Sequence, residues 1–122
     1  ADATKVIYEA FIHCRYYNDT HMSPSWYVEL DGTQITQTKR TELQQYTYEM
    51  VLHSLAVICI DGSYSDDIAN SKLASWTSAK TIKTKICAYS GTYQFYVNGV
   101  YHYAGSAPSL ITPPLIKITA IK

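Results

Sequence analysis

Apolar and polar side chains alternate with a period of two along much of this chain, and that alternation predicts strands. From Thr4 to Tyr17, Val6, Tyr8, Ala10, Ile12, Cys14 and Tyr16 fall on one side. Glu9, His13 and Arg15 fall on the other, together with Ile7, Phe11 and Tyr17. This is a long strand with one dominant apolar face. Trp26 to Leu30 reads as a short strand ended by Asp31-Gly32, a turn signal. The Thr- and Gln-rich stretch Thr33 to Thr41 suits an exposed edge strand or a loop. Thr81 to Tyr89 sets Ile82, Thr84, Ile86 and Ala88 against Lys83, Lys85, Cys87 and Tyr89. Leu115 to Ile121 closes the chain, with Leu115, Lys117, Thr119 and Ile121 alternating against Ile116, Ile118 and Ala120.

Asn98-Gly99 sits between aromatic and β-branched runs. Both residues tolerate the positive φ of a two-residue type I′ turn, so the dipeptide predicts a hairpin. The implied register sets Val97 opposite Val100 and Tyr96 opposite Tyr101.

The stretch from Glu42 to Ile60 carries two patterns. Tyr46, Tyr48, Met50 and Leu52 alternate as a strand requires, while Tyr48, Val51, Leu52, Leu55, Ile58 and Cys59 lie on a helical stripe. Thr41 and Gln44 have capping-box spacing. The Thr, Tyr, Val and Ile content favours strand, and the apolar run Leu55 to Ile60 has the length of a core strand. The resulting expectation is one all-β domain over residues 1–122, an antiparallel sandwich or barrel-like fold of seven or eight strands. The alternative is an α+β fold with one helix around residues 42–56 packed on an antiparallel sheet.

Charge narrows the function classes. Ten basic residues balance ten acidic ones. That balance argues against nucleic-acid binding, which needs an excess of Lys and Arg, and against attachment to anionic membranes. Lys83 and Lys85 share one strand face and read as a guard against edge-to-edge pairing. No apolar run reaches membrane-spanning length. An Ala-Asp-Ala start and the acceptor sequon Asn18-Asp19-Thr20 are the features expected of a secreted or cell-surface protein. With Cys14, Cys59 and Cys87 as its three cysteines, such a protein is expected to form one disulfide, its pairing open among three.

Candidate chemistry is sparse. No esterase elbow, zinc-protease motif or phosphate-binding glycine loop occurs. Glu9 and His13 share a strand face with Arg15, and these are the groups a phosphodiester-cleaving acid–base site uses. They are the weak catalytic candidates of a small nuclease-like enzyme or toxin. His53, set among apolar residues, reads as a core or interface histidine. Asp61, Asp66 and Asp67 could offer oxygen ligands to calcium, without the glycine and glutamate of an EF-hand loop. No cofactor is implied.

Aromatic content carries the remaining signal, with 12 Tyr and 2 Trp in the chain. Tyr96, Tyr101, Tyr103 and Gln94 share one face of the predicted hairpin, and Trp26 and Trp76 add to the candidate binding set. Tyrosine combines an apolar ring with a hydroxyl at low entropic cost and suits protein interfaces. The leading expectation is a non-enzymatic β module that binds a protein partner or copies of itself. A lectin-like module stacking sugars on Tyr and Trp is the other binding class.

Overall fold

The structure is a computed structural model that describes residues 3–16, 21, 22, 24–42, 44, 45, 49–88, 95–100, 109, 110 and 113–122. The fold is all-β and sandwich-like. In chain order the strands are β1 (Lys5–Tyr16), β2 (His21–Met22), β3 (Ser25–Leu30), β4 (Thr33–Gln34), β5 (Arg40–Thr41) and β6 (Gln44–Gln45). They continue with β7 (Glu49–Ile60), β8 (Lys72–Leu73), β9 (Ile82–Cys87), β10 (Phe95–Val97), β11 (Gly99–Val100), β12 (Ser109–Leu110) and β13 (Leu115–Ile121). Two 3₁₀ turns, Thr36–Thr38 and Ile68–Asn70, are the helical elements among the described residues.

The long sheet is built on β1. One edge of β1 pairs with β7 from Lys5↔Cys59 to Arg15↔Glu49. Its other edge is shared, by β13 at Lys5↔Ile121 to Phe11↔Leu115 and by β10 at Cys14↔Val97 to Tyr16↔Phe95. All of these pairings are antiparallel. β8 then joins β7 in parallel after the crossover of residues 61–71. In the second sheet β3 is central, paired with β9 along one edge and with β4 and β5 along the other. Two short ladders, β2 with β6 and β11 with β12, stand apart.

The sheets face each other through their apolar alternations. Val6, Tyr8, Ala10, Ile12 and Cys14 of β1 and Met50, Leu52, Ala56 and Ile58 of β7 pack against Trp26, Val28 and Leu30 of β3. Leu73 and Ile35 complete this buried cluster. One polar chain crosses it. Ser54, buried on β7, accepts from the Thr84 hydroxyl of β9 at 3.0 Å, and that hydroxyl lies 3.0 Å from the Tyr8 hydroxyl of β1. Buried Thr38 holds the loop after β4 to β3: its hydroxyl accepts from Val28 N at 2.8 Å and donates to Ile35 O at 2.7 Å.

Several expectations change here. Residues 49–60 are strand throughout, which removes the helical alternative over the described part of 42–56. Tertiary pairing with β1 overrides the helical stripe. The two-residue hairpin lies at Asp31-Gly32, where both residues have positive φ (50° and 83°) and Leu30 pairs with Thr33. Asn98 also has positive φ, 55°. Yet Val97 pairs with Cys14 and Val100 with Ser109, because Asn98-Gly99 passes the chain from one ladder to another. Asn98 N donates to His13 O at 2.7 Å at that handover.

The expected disulfide is absent: Cys14, Cys59 and Cys87 are free thiols. Cys59 pairs with Lys5, nine positions along β1 from Cys14, a span of about 30 Å. A disulfide needs Cα atoms within about 7 Å. Cys87 is exposed, and its thiol donates to Ser25 O at 3.5 Å. No helix among the described residues is long and apolar enough to cross a membrane.

Candidate protein-binding face

The odd-numbered positions of β1 and β7 point away from the core. In an antiparallel ladder, directly opposed residues share a face. The register therefore lays Ile7 beside Val57, Glu9 beside Leu55, Phe11 beside His53 and His13 beside Val51. Leu115, Lys117 and Thr119 of β13 extend the same face across the sheet from Phe11, Glu9 and Ile7. Phe11, Leu55 and Val57 are exposed here, and Val51 reaches 59% exposure. This surface mixes exposed apolar side chains with a polar centre, on a sheet whose other face already forms the core.

Polar groups organise its centre. His53 stacks on Phe11, ring centroids 4.5 Å apart and planes within 4°. Its Nε2 lies 3.4 Å from Glu9 Oε1, and Lys117 Nζ lies 3.8 Å from Glu9 Oε2. One carboxylate thus ties the three neighbouring strands β7, β1 and β13 together. His13 and Arg15 continue along β1, both half-buried.

The predicted catalytic candidates Glu9, His13 and Arg15 therefore share a face, and the fold adds His53 and Lys117 to them. What the fold brings together around them is apolar and open. Two cavities lie on the opposite face of the long sheet. One of about 280 Å³ is lined by Ala3, Val6, Ile60, Trp76, Ile118 and Ala120. The other, about 420 Å³, opens between β9 and the β10–β13 side, with Ile82, Thr84, Ile86, Val97 and Ile116 among its walls.

The remaining candidates separate. Trp26 is 5% exposed in the core, where no ligand can stack on it. Trp76 is half-buried and borders the smaller cavity. Tyr96 pairs with Arg15, whereas Tyr101, Tyr103, Gln94 and Asn18 lie outside the described residues. The aspartates brace the segment of residues 61–74. Asp61 accepts from Ser63 N, Asp66 from Ala74 N, and Asp67 from Asn70 N and Nδ2. The two Ser63 hydrogen bonds hold the Asp61 carboxyl below its ordinary range. Among the described residues no three His, Cys, Asp or Glu side chains converge as metal ligands.

No chemical motif marks Val51, Leu55, Val57 and Phe11. Their signal was present in β7, where the run Leu55 to Ile60 is apolar at both parities. A strand apolar on both sides is ordinarily covered on both sides. Fold and face together define an all-β, sandwich-like protein whose long sheet exposes apolar side chains on its outward face. No protein-family model, curated protein or solved structure matches the chain.

Proposed function

We propose that this chain is a non-enzymatic β-sandwich module that binds protein, further copies of itself included, through the outward face of its long sheet. The observation that carries this reading is the exposed row of Val51, Leu55 and Val57 beside Phe11. Contiguous apolar patches on soluble proteins mark interaction sites. The Glu9, His53 and Lys117 cluster gives the patch a polar centre able to fix orientation. Ten positive and ten negative charges leave no net field against association of like molecules.

Sedimentation of the full chain at increasing concentration tests the self-binding form. The expected result is a mass above 13.8 kDa for the wild type. The double substitution V51K/L55K should return the mass to the monomer value with an unchanged urea midpoint, since both side chains are exposed. A wild type that remains monomeric throughout defeats self-binding. An equal mass increase in V51K/L55K removes this face from the account.

A second reading, acid–base cleavage of RNA, is favoured only by the Glu9 carboxylate standing 3.4 Å from His53. RNA left intact by the pure protein, or cut equally well by Glu9→Gln and His53→Ala, overturns it.

A further inference from the structure

We infer that two copies of this chain pair along β13, edge to edge and antiparallel about Ile118, so that their long sheets join into one. This goes beyond the protein-binding reading above, because it places self-association at the edge of the long sheet and not on its outward face. β13 is a seven-residue strand without proline, hydrogen-bonded to β1 along one edge. Among the described residues nothing pairs with its other edge. A long apolar edge strand left open is a template for another strand, and proteins that avoid pairing protect such edges with charge. The opposite sheet carries two charges there: Lys83 and Lys85 stand exposed on β9, its edge strand among the described residues, with Lys85 lying 3.8 Å from Glu29. On β13 the only charge between Leu115 and Ile121 is Lys117, and Glu9 of the same chain engages it at 3.8 Å. Ile116 and Ile118 are exposed on the other side of the strand, Ile118 at 60%.

The strand sequence is complementary to itself in one register. With the two-fold axis at Ile118, Leu115 meets Ile121 of the second copy, Ile116 meets Ala120, and Lys117 meets Thr119. Apolar residues face apolar residues on both sides of the ribbon, and the two lysines are staggered. Moving the axis to Lys117 sets two ammonium groups directly opposite, which is destabilising. Moving it to Thr119 places Ile116 opposite Lys122 and Lys117 opposite Ile121, setting charge against apolar surface. The pairing centred on Ile118 also brings the exposed Ile116 and Ile118 side chains of both copies together beside the small apolar cavity that Ile118 lines. On the outward side it carries the binding face across the dimer.

The test uses the full chain with exposed Cys87 replaced by serine. Ile118→Cys is compared with Ile116→Cys under copper phenanthroline, which takes two electrons and two protons from a thiol pair as the disulfide forms. In the first variant the two introduced sulfurs face each other at the axis. Residue 116 is displaced from its own copy by four positions, about 13 Å. The expected result is a reducible dimer for Ile118→Cys and little for Ile116→Cys. Without oxidant, Ile118→Lys should weaken dimerisation by at least about tenfold, because it sets two charges opposite at the axis. Equal cross-linking at both positions, or a dimer unaffected by Ile118→Lys, overturns the pairing. A dimer lost in V51K/L55K and kept in Ile118→Lys overturns it while leaving the outward-face reading intact. A dimer lost in Ile118→Lys and kept in V51K/L55K supports the β13 pairing and counts against that face as the self-binding surface. A dimer that forms without cross-linking in Ile118→Cys also overturns the pairing.

Discussion

Replacing Thr84 by valine removes one hydroxyl from the middle of the sandwich and leaves volume and β-branching nearly unchanged. Thr84 is the link between the sheets: its hydroxyl donates to Ser54 Oγ at 3.0 Å and lies 3.0 Å from Tyr8 Oη. Ser54 is 1% exposed, so its hydroxyl has no water to fall back on when the donor is lost. A buried polar group stripped of its partner costs about 1–3 kcal/mol. Tyr8, itself 3% exposed, lines the larger cavity of about 420 Å³, which has room for a replacement water, so its hydroxyl loses less. The expected cost of Thr84→Val is about 2 kcal/mol, most of it from Ser54. For a chain of 122 residues this is roughly 8 °C in Tm. Ser54→Ala in the Thr84→Val background removes the stranded hydroxyl, so the double variant should be less destabilised than the sum of the singles. Urea melts of the wild type, both singles and the double variant close the cycle. A Thr84→Val cost below about 0.5 kcal/mol, within the range of ordinary surface changes, refutes the reasoning. So do single effects that simply add.

Two further predictions concern titration. Burial pushes the Cys14 thiol up from 9.0 to about 12. Native protein should therefore react with a thiol reagent at Cys87 and leave Cys14 unlabelled until denaturant is added; Cys14 labelled as fast as Cys87 in the native state would contradict its burial. The folded state holds the Cys14 proton more tightly than the unfolded one, so this contribution to stability is intact below pH 9 and falls toward pH 12, by at most about 1.4 kcal/mol per pH unit. The difference between wild type and Cys14→Ala should show that slope in denaturant melts. At the acid end, the Thr81 backbone N–H, at 2.8 Å, and then the Lys80 ammonium, at 3.1 Å, hold the Asp31 carboxyl below its ordinary 3.8. Its contribution is present above that ordinary value and disappears as pH falls through the lowered one. Asp31→Asn should flatten the acid limb of the stability profile, and an unchanged limb would show that the contact is lost in solution.

The strands of this protein are written locally. Alternation at Val6 through Cys14, at Trp26 through Leu30 and at Ile82 through Ile86 reads as strand because successive side chains on an extended chain point to opposite faces. The turn chemistry of Asp31-Gly32 was equally legible, since two adjacent positive φ angles suit few other pairs. Asn98-Gly99 carries the same chemistry, and Asn98 does adopt the positive φ. Which ladder each side joins is a non-local matter, settled by the open edge of β1 and by β12. The same limit applies to the candidate site. Glu9, His13 and Arg15 share a parity that can be counted along one strand. His53 and Lys117 reach them only through the registers of β7 and β13. Alternation also divides each strand into two faces without saying which is covered. In β7 both faces are apolar, and the second sheet can cover only one of them. That choice, made by packing, leaves Val51, Leu55 and Val57 exposed, and among the described residues β13 lies at an edge.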